Sequence, residues 1–275
     1  MTFDPDRLIH IADAGDERIA DFREVRERDL VGRSGRFIAE GTVVLRMLAQ
    51  SDRFDADKVL VLRNRVAGIE DILDRFDADT PIMVCDRDVI DAIAGFPMHR
   101  GVLAIGRSRP PAETGRAVSA LPDDALVLVC NGISNHDNMG GLFRNAAAFG
   151  VDHICLDGQC CDPLYRKSIR VSVGAVLTVP YSRGGRIEDA IQALHQEGFT
   201  LFALSPRGAR VIADVVPGRR AALVVGTEGE GLPAEILERF DTARIPQAPG
   251  LDSLNVATAA GIALYSIASA LGRVS

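Results

Sequence analysis

Residues 223–267 read LVVGTEGEGLPAEILERFDTARIPQAPGLDSLNVATAAGIALYSI, and this stretch decides the fold. The apolar run Leu223 to Val225 breaks at Gly226 into a loop with glycines at Gly226, Gly229 and Gly231. A second run stops at Ile245 and Pro246, and a Pro/Gly loop leads to Ser253, Leu254 and Asn255, where a long small-residue helix opens. Two strand ends thus open into two glycine-containing loops. In parallel α/β sheets, ligands sit where loops leave the carboxyl ends of strands. Glycine there lets backbone come close to a ligand. The expectation is a nucleotide-like cofactor held mostly by backbone groups.

Outward from there, residues 123–275 alternate continuous apolar strands with helices. Strands are expected at Ala125 to Cys130, His153 to Leu156, Ala175 to Val179, Phe199 to Leu204 and Ala221 to Val225. Helices are expected at Gly140 to Phe149, Tyr165 to Val173, Ile187 to Glu197, Pro233 to Arg239 and Leu254 to Leu271. Fully apolar strands between helices mean a mostly parallel sheet covered on both faces. Residues 1–107 form a smaller αβ block, with strands at Phe37 to Ala39, Lys58 to Leu62, Pro81 to Val84 and Val102 to Ile105. Its helices fall at Glu40 to Ala49, Gly68 to Phe76 and Asp86 to Ala94. Between the blocks, residues 108–122 carry Pro110, Pro111 and Pro122 and read as a linker that continues neither sheet nor helix.

The charge-dense N-terminus places Ile19, Phe22 and Val25 three apart, as on one helix face. Arg33 and Arg36 beside Gly32 and Gly35 read either as part of a solvated ionic face or as an RNA-backbone contact.

The totals exclude several classes. With 275 residues and 47% hydrophobic content, the chain builds one large or two ordinary domains. No run of 18 apolar residues exists, so no membrane span is expected. MTFDPDRLIH has no basic region followed by an apolar one, so no signal peptide is expected. The five cysteines show no CxxC spacing and read as reduced thiols of a cytoplasmic protein. No His/Cys cluster has metal-ligand spacing. A net charge of −7 argues against a generally adhesive nucleic-acid binder and leaves room for a local basic patch.

Three motifs carry the chemistry. NGISNHDNMGGLFRNAAAFG (131–150) sits at a strand-to-helix junction. Asn138 reads as an N-cap or as a functional amide. Arg144, one turn into the helix, reads as a surface ion-pair partner or as a cation holding a phosphate or oxyanion. His136 is a weaker candidate. GTEGEGLP (226–233) is no Walker loop, since no Gly-Lys-Ser/Thr follows, and its G-x-x-G-x-G order is not the dinucleotide fingerprint. Glu228 and Glu230 would repel phosphates, which points away from ATP or NAD. In the third motif, Asp252 and Ser253 read as N-caps of the last helix or as site residues. No G-x-S-x-G elbow is present.

Taken together, NMGGLFRNAAAFG (138–150), LVVGTEGEGLP (223–233), and Ile245-Pro246 followed by SLNVATAAGIALY (253–265) resemble the SpoU (TrmH-like) branch of the SPOUT RNA ribose methyltransferases. The N-terminal block, with AEG from Ala39 and HRGVLA from His99, is similar to the ribosomal-protein-like substrate-binding domain that precedes many of these enzymes. The resemblance implies an α/β parallel-sheet domain with a deep trefoil knot, an exception to the usual rule against knots. It implies S-adenosylmethionine bound near Leu204, Gly226, Thr227, Gly231, Ile245, Gln247 and Leu254. It implies a catalytic set of Asn138, Arg144, Glu228, Ser253 and Asn255, a homodimer through the C-terminal domain, and transfer of methyl to a ribose 2′-OH of structured rRNA or tRNA. No DNA, membrane or metal partner is expected. A non-catalytic RNA-binding or ribosome-assembly protein on the same fold is the competing reading. The chain departs from the family pattern at Gln247-Ala248-Pro249, where Met and an earlier glycine are usual, and at Arg100, where Gln is usual.

Overall fold

The computed structural model describes residues 3–23, 35–94, 100–109, 111–227, 229–250 and 252–274. The chain divides into two compact units, Met1–Pro110 with Leu164–Leu177, and Pro111–Pro163 with Thr178–Ser275.

The first unit contains β1 (Leu8–Ile11), β2 (Arg36–Glu40), α1 (Thr42–Ala49), β3 (Phe54–Leu62), α2 (Glu70–Leu73), β4 (Ile82–Cys85), α3 (Arg87–Ala94) and β5 (Val102–Ser108). The sheet order is β1-β4-β3-β5-β2, with β4 parallel to β1 and β3, and β5 antiparallel to β3 and β2. Gly106 of β5 leaves space for the Phe37 ring, which an added Cβ would meet at 2.3 Å. Phe37 stacks edge-on to Phe54, with centroids 5.3 Å apart. Leu60, Met83, Ile90 and Ile105 pack with Ile19 and Phe22 in one core. Each such buried side chain stabilises the fold by about 1.5–3 kcal/mol.

Three expectations for this unit need correction. Glu40 stays in β2 and Gly41 adopts φ 93°, so α1 begins at Thr42 rather than Glu40. The N-terminal apolar periodicity forms a short 3-10 helix, Glu17–Phe22, which ends at Arg23 in extended backbone. Val25 and Arg33 lie outside the described residues. The expected helix over 68–76 is only Glu70–Leu73, preceded by a 3-10 stretch, Arg63–Gly68.

The segment Leu164–Leu177 groups with the first unit although it falls inside the expected second domain. The reason is a set of contacts between residues far apart in sequence. In α6 (Arg166–Val171), Arg166 donates from Nε (3.0 Å) and Nη2 (2.7 Å) to Glu40 Oε2. Gly174, at φ +87°, lies so close to Met47 that an added Cβ would sit 2.5 Å from its Sδ. Residues Ala175–Leu177, expected as a strand, are a 3-10 helix.

The second unit is a seven-stranded parallel sheet, ordered β10-β12-β9-β11-β6-β7-β8. In chain order it contains α4 (Thr114–Ser119), β6 (Leu126–Cys130), α5 (His136–Ala148), β7 (His153–Leu156), β8 (Tyr181–Arg183), α7 (Ile187–Gln196), β9 (Thr200–Leu204), β10 (Arg210–Val211), β11 (Ala221–Val225), α8 (Ala234–Arg239), β12 (Asp241–Arg244) and α9 (Val256–Ala270). Helix α4 corrects the linker expectation. Glu113 caps it by accepting from Gly115 N and Arg116 N, and Val118 enters the core with Val127, Val224 and Leu194. Short β10 was missed because Arg210 and Val211 are too brief a run to read as strand, whereas the strand end expected at Ile245 is β12, which stops at Arg244. Among the described residues no helix is long and apolar enough to cross a membrane, and no group of three or more His, Cys, Asp or Glu could hold a metal ion.

Candidate active site

The loops that leave β9, β11 and β12 converge on one cavity of about 1250 Å³ at the carboxyl edge of the second unit's sheet. Leu204 to Arg207, Gly226, Thr227, Gly229 to Leu232, Arg244 to Gly250 and Asp252 to Leu254 supply most of its described lining. This is the strand-end position that open α/β sheets use for ligands. All seven positions expected to hold a cofactor (Leu204, Gly226, Thr227, Gly231, Ile245, Gln247 and Leu254) line it, and so does Ser253.

Close backbone contact shapes the β11 loop. Thr227 and Gly231 form an isolated antiparallel bridge, Gly231 N donates to Thr227 Oγ1 at 3.2 Å, and Gly231 has φ +75°. A Cβ on Gly226 would fall 2.4 Å from the Gly231 carbonyl. The loop therefore folds back on itself and requires glycine at both ends. It also abuts the loop after β6, where a Cβ on Gly132 would sit 2.8 Å from Thr227 Cγ2.

A second cluster lies where α5 and α9 begin. Asn255 is the N-cap of α9, and its Oδ1 accepts from Ala257 N (3.0 Å) and Thr258 N (3.2 Å). Its Nδ2 donates to Asn138 Oδ1 at 2.8 Å. Asn138 is 5% exposed and stands in the first turn of α5, whose N-cap is Asn135. Neither Asn138 nor Ser253 is therefore the cap that its sequence position allowed. Asn145 Nδ2 donates to Ala257 O at 2.6 Å. Gly141 faces Ala257, and Gly261 faces Asn145, at distances that leave no room for a Cβ. The small-residue face of the last helix thus serves helix packing inside the unit, and that packing holds the two asparagines together.

Not every expected residue joins these clusters. Arg144 is exposed on α5, makes no hydrogen bond or ion pair with a described residue, and does not line the cavity. Glu228 lies outside the described residues. Arg36, read as an RNA contact, is committed elsewhere: its guanidinium lies 2.8 Å from Asp21 and 3.0 Å from Asp57. His136 opens α5 and is half-buried.

The sequence reading missed Asp157. This buried carboxylate accepts from Asn131 Nδ2 (2.6 Å), Gly132 N (3.1 Å) and Cys160 N (2.9 Å), and so fixes the loop that leads into α5. The only signal was an Asp-Gly pair directly after an apolar strand, a common turn start. Also missed were the charged lining residues Arg207 and Arg244, while Asp252, read as a cap or a site residue, lines the cavity. The cysteines behave as expected of core thiols. Cys130, Cys155 and Cys160 are free and buried, and burial pushes the thiols of Cys155 and Cys160 up to about 12.

Comparison with known proteins agrees with this geometry. The sequence model of the SpoU rRNA Methylase family matches residues 125–265. An uncharacterised tRNA/rRNA methyltransferase of Mycobacterium bovis is 38% identical over 266 residues, 93% of this chain and 90% of that protein. The 23S rRNA (guanosine-2′-O-)-methyltransferase RlmB of Nitrosomonas europaea is 28% identical over 188 residues, covering 68% of this chain and 72% of its own. A crystal structure of an AdoMet-bound rRNA methyltransferase from Sinorhizobium meliloti superposes with a TM-score of 0.80 at 22% identity, over 98% of this chain and 99% of that one. With a relative so similar over nearly its whole length, and with the family's segment containing both the cavity and the asparagine pair, this chain belongs to the SpoU family of RNA methyltransferases.

Proposed function

We propose that this protein transfers a methyl group from S-adenosylmethionine to a ribose 2′-OH of rRNA or tRNA. One observation carries the reading: three strand-end loops meet in a single cavity that contains all seven expected cofactor positions. The RlmB likeness supports the ribose as acceptor, and the AdoMet-bound neighbour supports the cofactor.

The residues present fit that cofactor. The cavity exceeds the roughly 300–1,000 Å³ of ordinary small-molecule pockets, which leaves space for a second reactant. Its described charged side chains are Arg207, Arg244, Glu230 and Asp252, a mixed set suited to a ligand that carries both signs. Gly229, Gly231 and Gly250 present no side chain to it. The cofactor supplies an already electrophilic methyl sulfonium, so the protein's task is positioning and electrostatics. Asn255 and Asn138 hold the two helix starts in register. Ser253 and Gln247 shape the β12 loop, and Glu228 is assigned the β11 loop.

Arg144 is assigned to the target nucleotide's phosphate or 2′-oxygen, acting from the partner subunit of a homodimer. Its exposure on α5 and its absence from its own cavity's lining support that assignment. The dimer surface is placed where α9 leaves Ile262 and Tyr265 exposed, with Tyr265 edge-on to Phe149. The first unit is assigned to RNA binding, as a ribosomal-protein-like domain. The segment after β12 is taken to be threaded as a trefoil knot. That reading rests on the family resemblance; in the sheet the chain crosses β9 to reach β12, and α9 packs back against β11. The free buried thiols favour the reducing cytoplasm.

The test is calorimetry with S-adenosylmethionine, followed by methyl transfer to rRNA and tRNA and nucleoside analysis of the product. Cofactor binding with 2′-O-methylnucleosides in the digest is expected. No binding at millimolar cofactor would favour the non-catalytic RNA-binding reading instead.

A further inference from the structure

S-adenosylmethionine ends in an amino acid, so it presents two cations, the sulfonium and the ammonium, and one anion, the carboxylate. A carboxylate brought into a cavity needs a cationic partner or several donors. Two cations line the described cavity, Arg207 and Arg244. Arg244 is already used. Its Nη1 donates to Gly208 O and Ala209 O, both at 2.7 Å, and so ties the turn after β9 to β12.

Arg207 is not committed in this way. It is exposed, it lines the cavity, and its side chain makes no hydrogen bond or ion pair with a described residue. Its backbone is nonetheless pinned. Gly208 N donates to Ser205 O at 3.0 Å, Arg207 N donates to Ser205 Oγ at 3.3 Å, and a Cβ on Gly208 would fall 2.3 Å from Ala243 carbonyl carbon. The turn is thus pressed against β12 and holds the root of Arg207 at the cavity rim. A planar guanidinium on a fixed root matches a carboxylate through two parallel hydrogen bonds. The lining carboxylates Glu230 and Asp252 remain for the ligand's cationic groups.

We infer that Arg207 is the clamp for the carboxylate of the cofactor's methionyl end, and so selects the intact amino-acid form of the nucleoside. The inference rests on the proposed use of the cavity for S-adenosylmethionine. It adds a residue that neither the motifs nor the comparisons single out. The site is open to solvent, so the contribution is at the modest end for a charge-assisted contact, about 5- to 30-fold in affinity.

The test is calorimetry with S-adenosylmethionine and its decarboxylated analogue, which keeps every other group. The proteins compared are wild type, Arg207→Gln and Arg207→Lys, each checked for an unchanged melting temperature. Wild type should prefer the intact cofactor by about 5- to 30-fold. Arg207→Gln should bring that ratio below about twofold with unchanged affinity for the analogue, and Arg207→Lys should fall between them. Three results would overturn the inference: a full ratio in Arg207→Gln, equal weakening of both ligands, or a loss confined to RNA affinity, which would place Arg207 on a nucleic-acid phosphate. Failure of wild type to bind either ligand would instead remove the cofactor reading itself.

Discussion

Replacing Asn255 probes the join between the two helix starts. Asn255→Ala removes two things at once. One is the α9 cap, where Oδ1 accepts from Ala257 N and Thr258 N. Losing such a cap costs about 0.5–2 kcal/mol. The other is the 2.8 Å bond to Asn138, whose side chain is 5% exposed. Withdrawing a partner from a buried polar group costs about 1–3 kcal/mol. The sum is roughly 1.5–5 kcal/mol, and at about 2–4 °C per kcal/mol for a chain this long the melting temperature should fall by roughly 3–20 °C. Asn255→Ser separates the terms, because serine caps a helix about as well but is too short to reach Asn138. It should recover about 1 kcal/mol of the loss and no methyl transfer. Thermal melts and single-turnover methylation of the three proteins measure this. An Asn255→Ser protein with wild-type stability and wild-type turnover would show that the asparagine bond holds nothing that matters.

Gly226→Ala should weaken S-adenosylmethionine by about 5-fold or more, because the new methyl meets the Gly231 carbonyl and the β11 loop has to open, at about 1–3 kcal/mol; unchanged calorimetric affinity would contradict the folded-back loop. Arg144→Ala should abolish methyl transfer and leave cofactor affinity within about twofold, since the side chain does not line the cavity; unchanged turnover would remove Arg144 from the mechanism. Asp21 gives a pH signature. Hydrogen bonds from Arg36 first, and then Lys58, hold its carboxyl at about 2, below an unfolded value of about 3.9. A lowered folded pKa means the pair's contribution is fully present above the unfolded value and drains away as pH falls towards about 2. Urea titrations between about pH 5 and 2 should show that loss in wild type and less of it in Asp21→Asn; identical pH slopes would refute it.

Much of the site was legible because its chemistry is carried by short local strings. A strand that ends in glycine, as Val225-Gly226 does, announces both the loop and its closeness to a ligand. The seven cofactor positions come from the likeness of these strings to the SpoU family, not from their spacing. The asparagine pair was half legible. Asn138 and Asn255 each stood out, but 117 residues separate them, and only the packing of α5 on α9 brings them together. Sequence spacing also misplaced the caps, since Asn135, Asn138, Ser253 and Asn255 are all competent cap residues and tertiary packing decides which ones act. The two-residue edge strand Arg210–Val211 carries no periodicity that could reveal it. Leu164–Leu177 groups with the N-terminal unit through long-range contacts, among them the ion pair of Arg166 with Glu40 across 126 residues, a bond from Arg53 to Val176 O and a glycine fitted to Met47. None of these leaves a local trace. Arg207 was overlooked for a related reason: one arginine among many becomes informative only when its neighbours are seen to be committed and it is not.

The most direct test of the central claim is a transcriptome-wide map of ribose 2′-O-methylation in rRNA and tRNA, made in a strain lacking this protein and again after complementation with wild type or Arg144→Ala. The account predicts one or a few 2′-O-methylated nucleotides lost on deletion, restored by wild type and not by Arg144→Ala. An unchanged ribose map, or a lost methyl group that proves to sit on a base, would contradict it.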